Sequence, residues 1–254
     1  ERVTRLLRML RDIVDERSTR YGEVRAGTIT EYRRLADRPD EARILVLVDG
    51  LGAFREQYEF SGANMAWFTL FSQLAVDGRQ VGVHFVVTGD RPNALPTSLA
   101  STVQKRFVLR LASEEDYLLL GAPKDVLDAA SPPGRGVLDD DELQFAVLGG
   151  SANMAVQARE IERLAEAMRR QGVPEAPEVG RLPANVALAD LPDKTAAGLV
   201  TIGLADDDLG PVGIAPVGAF MLTGPPGAGR TTALATLGQA LHRADSSMPV
   251  VHLA

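Results

Sequence analysis

The run Gly218–Arg243, GAFMLTGPPGAGRTTALATLGQALHR, constrains this chain more than any other feature. It reads as a buried apolar strand, a turn set by Gly224, Gly227 and Gly229, and a helix. The spacing Gly224–xxxx–Gly229–Arg230–Thr231 matches a phosphate-cradling P-loop, with arginine in the position of the usual lysine. Such a loop works because glycine frees successive backbone N–H groups to point at one anion, and the helix N-terminus adds its dipole. Only Thr232–Ala254 follow it in the sequence, whereas the bulk of a nucleotide-binding module ordinarily follows its loop. The chain is therefore expected to be a fragment of something longer, reaching only the opening of such a module.

The pattern upstream supplies complementary parts. Apolar residues recur on one face of residues 1–36, broken at Gly22 and Gly27, with Thr30 placed to cap a short second helix ending at Leu35. Ile44–Val48 (ILVLV) and Val81–Thr88 (VGVHFVVT) are continuous β-branched runs expected to be buried on both faces of a parallel sheet. A helix is expected around Asn64–Val76, a strand at Phe107–Leu111, and a helix at Glu114–Leu120. A hairpin follows at Gly136–Leu148, then an amphipathic helix at Met154–Arg170. Val173–Asp193 carries Pro174, Pro177, Pro183 and Pro192 and reads as a linker. Strands at Leu199–Leu204 and Val212–Ala215 flank the acidic turn Asp206–Asp208, and a last strand begins at Val250–Leu253. Strands alternating with helices predict an α/β fold with a mostly parallel sheet.

Within that frame, Thr231 is the expected Mg²⁺ ligand. Arg230 keeps the cation in a bulkier, forked form that does not simply replace lysine. The cradle comprises Gly224, Gly227, Ala228, Gly229, Arg230, Thr231 and Thr232. ILVLV ends in Asp49, the arrangement of a Walker B strand, whose carboxylate holds a Mg²⁺-bound water near the γ-phosphate. The residue after it is Gly50, where many ATPases carry a catalytic glutamate; Glu56 lies nearby in sequence only. His84 reads as a core histidine, Asp139–Asp141 as a solvated turn, and Met65, Trp67, Phe68 and Phe71 as core.

Composition removes other classes. There is no cysteine, so disulfide, thiolate and zinc–thiolate chemistry are excluded. The formal charge of −7 argues against a surface built mainly for nucleic acid. No apolar run approaches the roughly 20 residues of a membrane span. His242 and His252 are isolated and suggest no metal or triad chemistry.

Several motifs in order resemble the FtsK/SpoIIIE family of P-loop motor ATPases, above all the tandem-module ATPases of type VII secretion. They are Arg17–Tyr21 with Gly27 and Glu31-Tyr32, then ILVLVDG, then Gly82–Thr88 leading to Arg91-Pro92. Lys105–Arg110 with Ser113–Asp116 and Pro133–Gly136 complete the series. The resemblance implies a RecA-like P-loop fold cut across two consecutive modules. Residues 1–172 would be the Walker B side of one, 173–190 a linker, and 191–254 the P-loop side of the next. It further implies ATP and Mg²⁺ as cofactors and neighbouring modules or subunits as partners. A secreted protein substrate and a cytoplasmic site tethered to the membrane through other parts of the protein complete the expectation. Arg106 is the first candidate for an arginine finger, with Arg135 and Arg110 behind it. Gly50, Gly89-Asp90 and Arg230 depart from the family pattern and point to degenerate sites. The alternatives are a double-stranded DNA translocase of the same family and a non-catalytic module that binds a secretion signal.

Overall fold

The computed structural model describes residues 2–249 and 251. The chain divides into two compact units, Met9–Pro177 and a second made of Glu1–Arg8 with Glu178–Ala254.

The larger unit is organised around a parallel strand pair. α1 (Arg2–Glu23) buries Leu10, Val14 and Tyr21 on its apolar stripe. α2 (Ile29–Leu35) follows a tight turn and is capped by Thr28, whose hydroxyl accepts from the Glu31 N–H at 3.2 Å. The cap is thus Thr28 and not Thr30, because Thr28 has the extended backbone (φ −144°) that a capping residue needs. β1 (Ile44–Val48) pairs in parallel with β2 (Val83–Val87), in register from Ile44 opposite Val83 to Val48 opposite Val87. The crossover between them holds α3 (Leu51–Tyr58), for which the sequence offered no periodic signal, and α4 (Met65–Asp77). Phe71 of α4 meets Phe54 of α3 at 4.9 Å and Phe85 of β2 at 5.5 Å, both edge-on, which packs the crossover onto one sheet face. In α4, Phe68 and Phe71 are core, Trp67 is half-buried and Met65 is exposed.

The opposite face is open. Leu45, Leu47 and Val86 are 60%, 70% and 49% exposed, against the expectation of strands buried on both sides. His84 shares this face and is half-buried, so it is not a core histidine. The physical reason is that α4 packs through Phe71 against Phe85 on the other side of the pair, while Leu45, Leu47 and Val86 have no such cover among the described residues.

After α5 (Thr97–Ala100), a second sheet of order β3–β4–β5 forms from β3 (Phe107–Leu109), β4 (Arg135–Leu138) and β5 (Asp141–Gln144), all antiparallel. α6 (Glu114–Leu120) sits between β3 and β4 in sequence, and Tyr117, Leu127, Val108 and Val137 share one core cluster. α7 (Met154–Arg170) closes the unit, capped by Asn153. In the second unit, β6 (Val200–Leu204) and β7 (Pro211–Ile214) make an antiparallel hairpin over the acidic turn, and α8 spans Arg230–Ala244. The fold is α/β, with parallel pairing confined to β1–β2 among the described residues. The short connections from β4 to β5 and from β6 to β7 enforce antiparallel neighbours, since a parallel step needs a crossover of a dozen or more residues. The strand expected to begin at Val250 lies mostly outside the described residues.

A buried ion cluster ties the larger unit together. Glu41, 8% exposed, forms an ion pair with Arg17 Nε at 3.2 Å and accepts from Arg20 Nη2 at 2.9 Å. Its own carbonyl accepts from Arg33 Nε at 3.0 Å, and Arg17 Nη1 reaches the Val81 carbonyl at 2.9 Å. Tyr21 and Tyr32 stack beside it at 4.1 Å. Removing one partner of a buried pair strands the other charge, which costs about 3 kcal/mol or more. Glu41→Ala is therefore expected to lower urea stability by about that amount, and Arg17→Met with Glu41→Leu by much less. Burial, reinforced by Glu41, holds the Tyr21 phenol above its ordinary range. The unfolded phenol then ionises first, so stability falls as pH rises past about 10. Tyr21→Phe should flatten that alkaline loss in pH-dependent unfolding.

Candidate nucleotide site

Two clusters carry the chemistry expected from the sequence, one in each unit. The first is the carboxyl end of the β1–β2 pair. The ladder opens with the Ile44 N–H on the Gly82 carbonyl (2.9 Å) and closes with the Thr88 N–H on the Val48 carbonyl (2.9 Å), so both strands end together. There Asp49 leaves β1 exposed, and its Oδ1 accepts from the Thr88 hydroxyl at 2.6 Å. The same hydroxyl accepts from the Gly50 N–H at 2.8 Å, and the Leu51 N–H donates to the Thr88 carbonyl at 2.8 Å. A hydroxyl has a single proton, so this geometry commits it to Asp49 and leaves the second carboxylate oxygen outward. Gly50, at φ +81°, turns the chain from strand into α3. Asp90 lies close by, its Oδ1 about one van der Waals contact (3.4 Å) from the space above Gly52. Glu56 is exposed on α3 and makes no contact with Asp49 among the described residues.

Thr88 is the residue that sequence reasoning missed. Its signal was present: a polar residue closing the second strand in the same register as the acid closing the first.

The second cluster is the loop Gly224–Thr232. Gly227 and Gly229 both adopt φ +83°, and α8 starts directly at Arg230 with no side-chain cap. The backbone N–H groups of Arg230, Thr231 and Thr232 have no acceptor among the described residues, while the Ala233 N–H already bonds the Gly229 carbonyl at 2.8 Å. A side chain at Gly224 would meet the Ala228 Cβ at 3.0 Å, so Ala228 would have to give by a few tenths of an ångström. Free N–H groups at a helix start, a left-handed entry residue and an adjacent cation suit a phosphate group. Thr231, Thr232 and Arg230 are exposed.

The strand expected to lead into this loop is not formed. Residues 217–223 pair with no strand among the described residues, Gly218 sits at φ +92°, and Val217, Phe220 and Met221 are 73%, 52% and 85% exposed. A strand is stable only against a neighbour, and β6, which pairs with β7 and bridges to Lys194, takes no further strand among the described residues. α8 is held instead by its far end, where Arg243 donates to the Leu191 carbonyl at 2.8 Å and to Asp193 at 2.5 Å.

The arginine candidates differ in freedom. Arg135 pairs with Glu142 and donates to Gln144 Oε1 at 3.0 Å across the hairpin. Arg110 holds the carbonyls of Ala129 and Ser131 at 2.8 and 3.3 Å. Arg106 is exposed, has one bond, to the Ala100 carbonyl at 3.2 Å, and lines an open hollow of about 400 Å³ with Val103, Leu120 and Asp139. Neither Arg106 nor Arg135 contacts Asp49 among the described residues. No group of three or more metal-binding side chains occurs among them either.

This architecture is the P-loop fold of secretion ATPase domains. It matches EssC (ATPases 2 and 3) from Geobacillus thermodenitrificans at a TM-score of 0.67 and 22% identity, over 84% of this chain and 41% of that one. It also matches Thermomonospora curvata EccC (ATPases 2 and 3), solved with a signal sequence peptide, at 0.61 and 24%, over 84% and 39%. In sequence it is 28% identical over 270 aligned residues to the ESX-5 secretion system protein EccC5 of Mycobacterium tuberculosis, covering 92% of this chain. The homologues of this chain are thus EccC- and EssC-type proteins of type VII secretion. It spans 9% to 18% of the length of the first curated relatives it matches. No protein-family model matches.

The loop gives a direct test. Gly229→Ala places a Cβ in the left-handed region and is expected to cost about 1 kcal/mol. Urea unfolding should show that loss, and hydrogen exchange should place it in the first turn of α8.

Proposed function

We propose that this chain is an ATP-binding part of an EccC-like secretion motor and spans portions of two consecutive modules. Residues 1–172 supply the Walker B side of one nucleotide site through Asp49. Residues 191–254 supply the cradle of the next, with 173–190 as the linker. The observation that carries the reading is the order of the clusters: the acid-terminated strand precedes a phosphate-suited loop, the reverse of their order within one module. The similarity to relatives solved as paired ATPase domains supports it.

ATP and Mg²⁺ are the ligands this reading assigns. The N–H groups at the start of α8 and Arg230 hold the phosphates, and Thr231 is the loop's Mg²⁺ ligand. Asp49, kept in place by Thr88, is the acid that would serve Mg²⁺ at the other site. When bound, Mg²⁺ neutralises charge developing on the phosphates. Gly50 leaves no carboxylate to orient an attacking water, so turnover by this chain alone is slow or nil. Arg106 is the arginine offered to a neighbouring module, because Arg135 and Arg110 are engaged within their own sheet and loop. No described helix is long and apolar enough to cross a membrane; the reading places the chain in the cytoplasm, tethered by other parts of the protein. The T. curvata complex supports a secreted protein's signal as a further partner.

Calorimetry with Mg·ATP tests the assignment. Binding that weakens about tenfold in Arg230→Ala is expected. Brisk hydrolysis that survives Asp49→Ala would overturn it, and tight, salt-sensitive DNA binding would favour a DNA translocase instead.

A further inference from the structure

The proline-bearing stretch after α7 is not exposed throughout. Residues 171–178 and 181–187 are exposed, while Val179 and Gly180 between them are half-buried. Two arginines of α1 hold that pair by its backbone. Arg2 Nε donates to the Val179 carbonyl at 3.1 Å, and Arg5 Nη1 donates to the Gly180 carbonyl. Arg5, 7% exposed, also reaches the acidic turn between β6 and β7. Its Nε donates to the Asp206 carbonyl at 2.9 Å and its Nη2 to Asp206 Oδ1 at 2.6 Å. Leu209 of the same turn lies against Gly180, so near that a Cβ there would come within 2.6 Å of its Cδ1. All of these residues belong to the smaller unit.

Two features mark this fastening as one that opens. Leu209 holds a left-handed backbone, φ +60°, which costs a non-glycine residue about 1 kcal/mol and lasts only where contacts impose it. The Asp206 side chain is 51% exposed, so water and salt reach one half of the ion pair. We propose that Arg5 is a releasable buckle on the proline-bearing connection. Closed, it fastens 179–180 to the acidic turn and leaves 171–178 free, a reach of about 25 Å at full extension. Open, it frees the chain as far as Leu188, whose carbonyl Arg243 holds, and the reach roughly doubles. Arginine suits the role, because its planar fork meets acceptors on two segments at once, which a lysine ammonium does not do in one fixed geometry. The device rests on contacts within one unit and is independent of what the Gly224 loop binds.

Limited trypsin digestion tests the buckle. Arg181 directly follows the fastened pair, and a protease needs the residues around its bond released. Cleavage after Arg181, identified by fragment mass, is expected to quicken about tenfold in Arg5→Met. Asp206→Ala should quicken it less, since the carbonyl bonds to Arg5 remain. Cleavage after Arg17, which is buried in the larger unit, should stay unchanged and controls for unfolding. Should Arg5→Met quicken both cuts, it has unfolded, and Asp206→Ala decides. Raising salt from about 0.05 to about 0.5 M should quicken the Arg181 cut more in the unmodified chain than in Asp206→Ala, because screening acts on the ion pair. Equal cleavage after Arg181 in the unmodified chain and Asp206→Ala would overturn the buckle. An equal salt response in those two chains would overturn its release.

Discussion

The placement of the acidic strand end depends on one buried carboxylate. Glu41 draws Arg17 and Arg20 from α1 and Arg33 from α2, while Arg17 also holds the Val81 carbonyl just before β2. Four chain segments therefore meet at the point where both parallel strands begin. Because β1 starts three residues after Glu41 and β2 two after Val81, fixing their entries fixes the register that ends with Asp49 beside Thr88. A hydrophobic contact there would hold the segments together without defining direction. Paired guanidinium and carboxylate groups define both distance and angle.

At the other end of the strands the constraint is weaker and more local. Asp49 is exposed, and one hydroxyl proton orients it. The loop at Gly224 has the same character, with left-handed glycines and unpaired N–H groups but little burial. Backbone turns at Gly50 and at Gly227–Gly229 shape both clusters.

Local chemistry was legible in the sequence; covering surfaces were not. Met154–Arg170 and Glu114–Leu120 match the helices residue for residue, because their periodicity and caps are encoded within a few positions. The left-handed turn at Gly227–Gly229 was legible for the same reason, since φ/ψ demands act on single residues. The two-sided burial of ILVLV was not, because an apolar run states a preference and cannot name its neighbour. α3 was missed because LGAFREQY is short and weakly patterned, and its start depends on the turn at Gly50 after Asp49. Thr88 escaped notice because its partner is 39 positions away, and only the parallel register brings the two together.

The same distinction explains why the loop survives where its strand does not. The turn at Gly227–Gly229 and the helix from Arg230 close their hydrogen bonds within a few residues, with Arg243 bracing the far end. The run before them, Ala219–Thr223, has a strand's composition but would need another chain segment beside it to form a ladder. Its phosphate-suited geometry is thus a property of the loop and α8. The geometry of the loop and the pairing of the run before it are therefore separable in this chain.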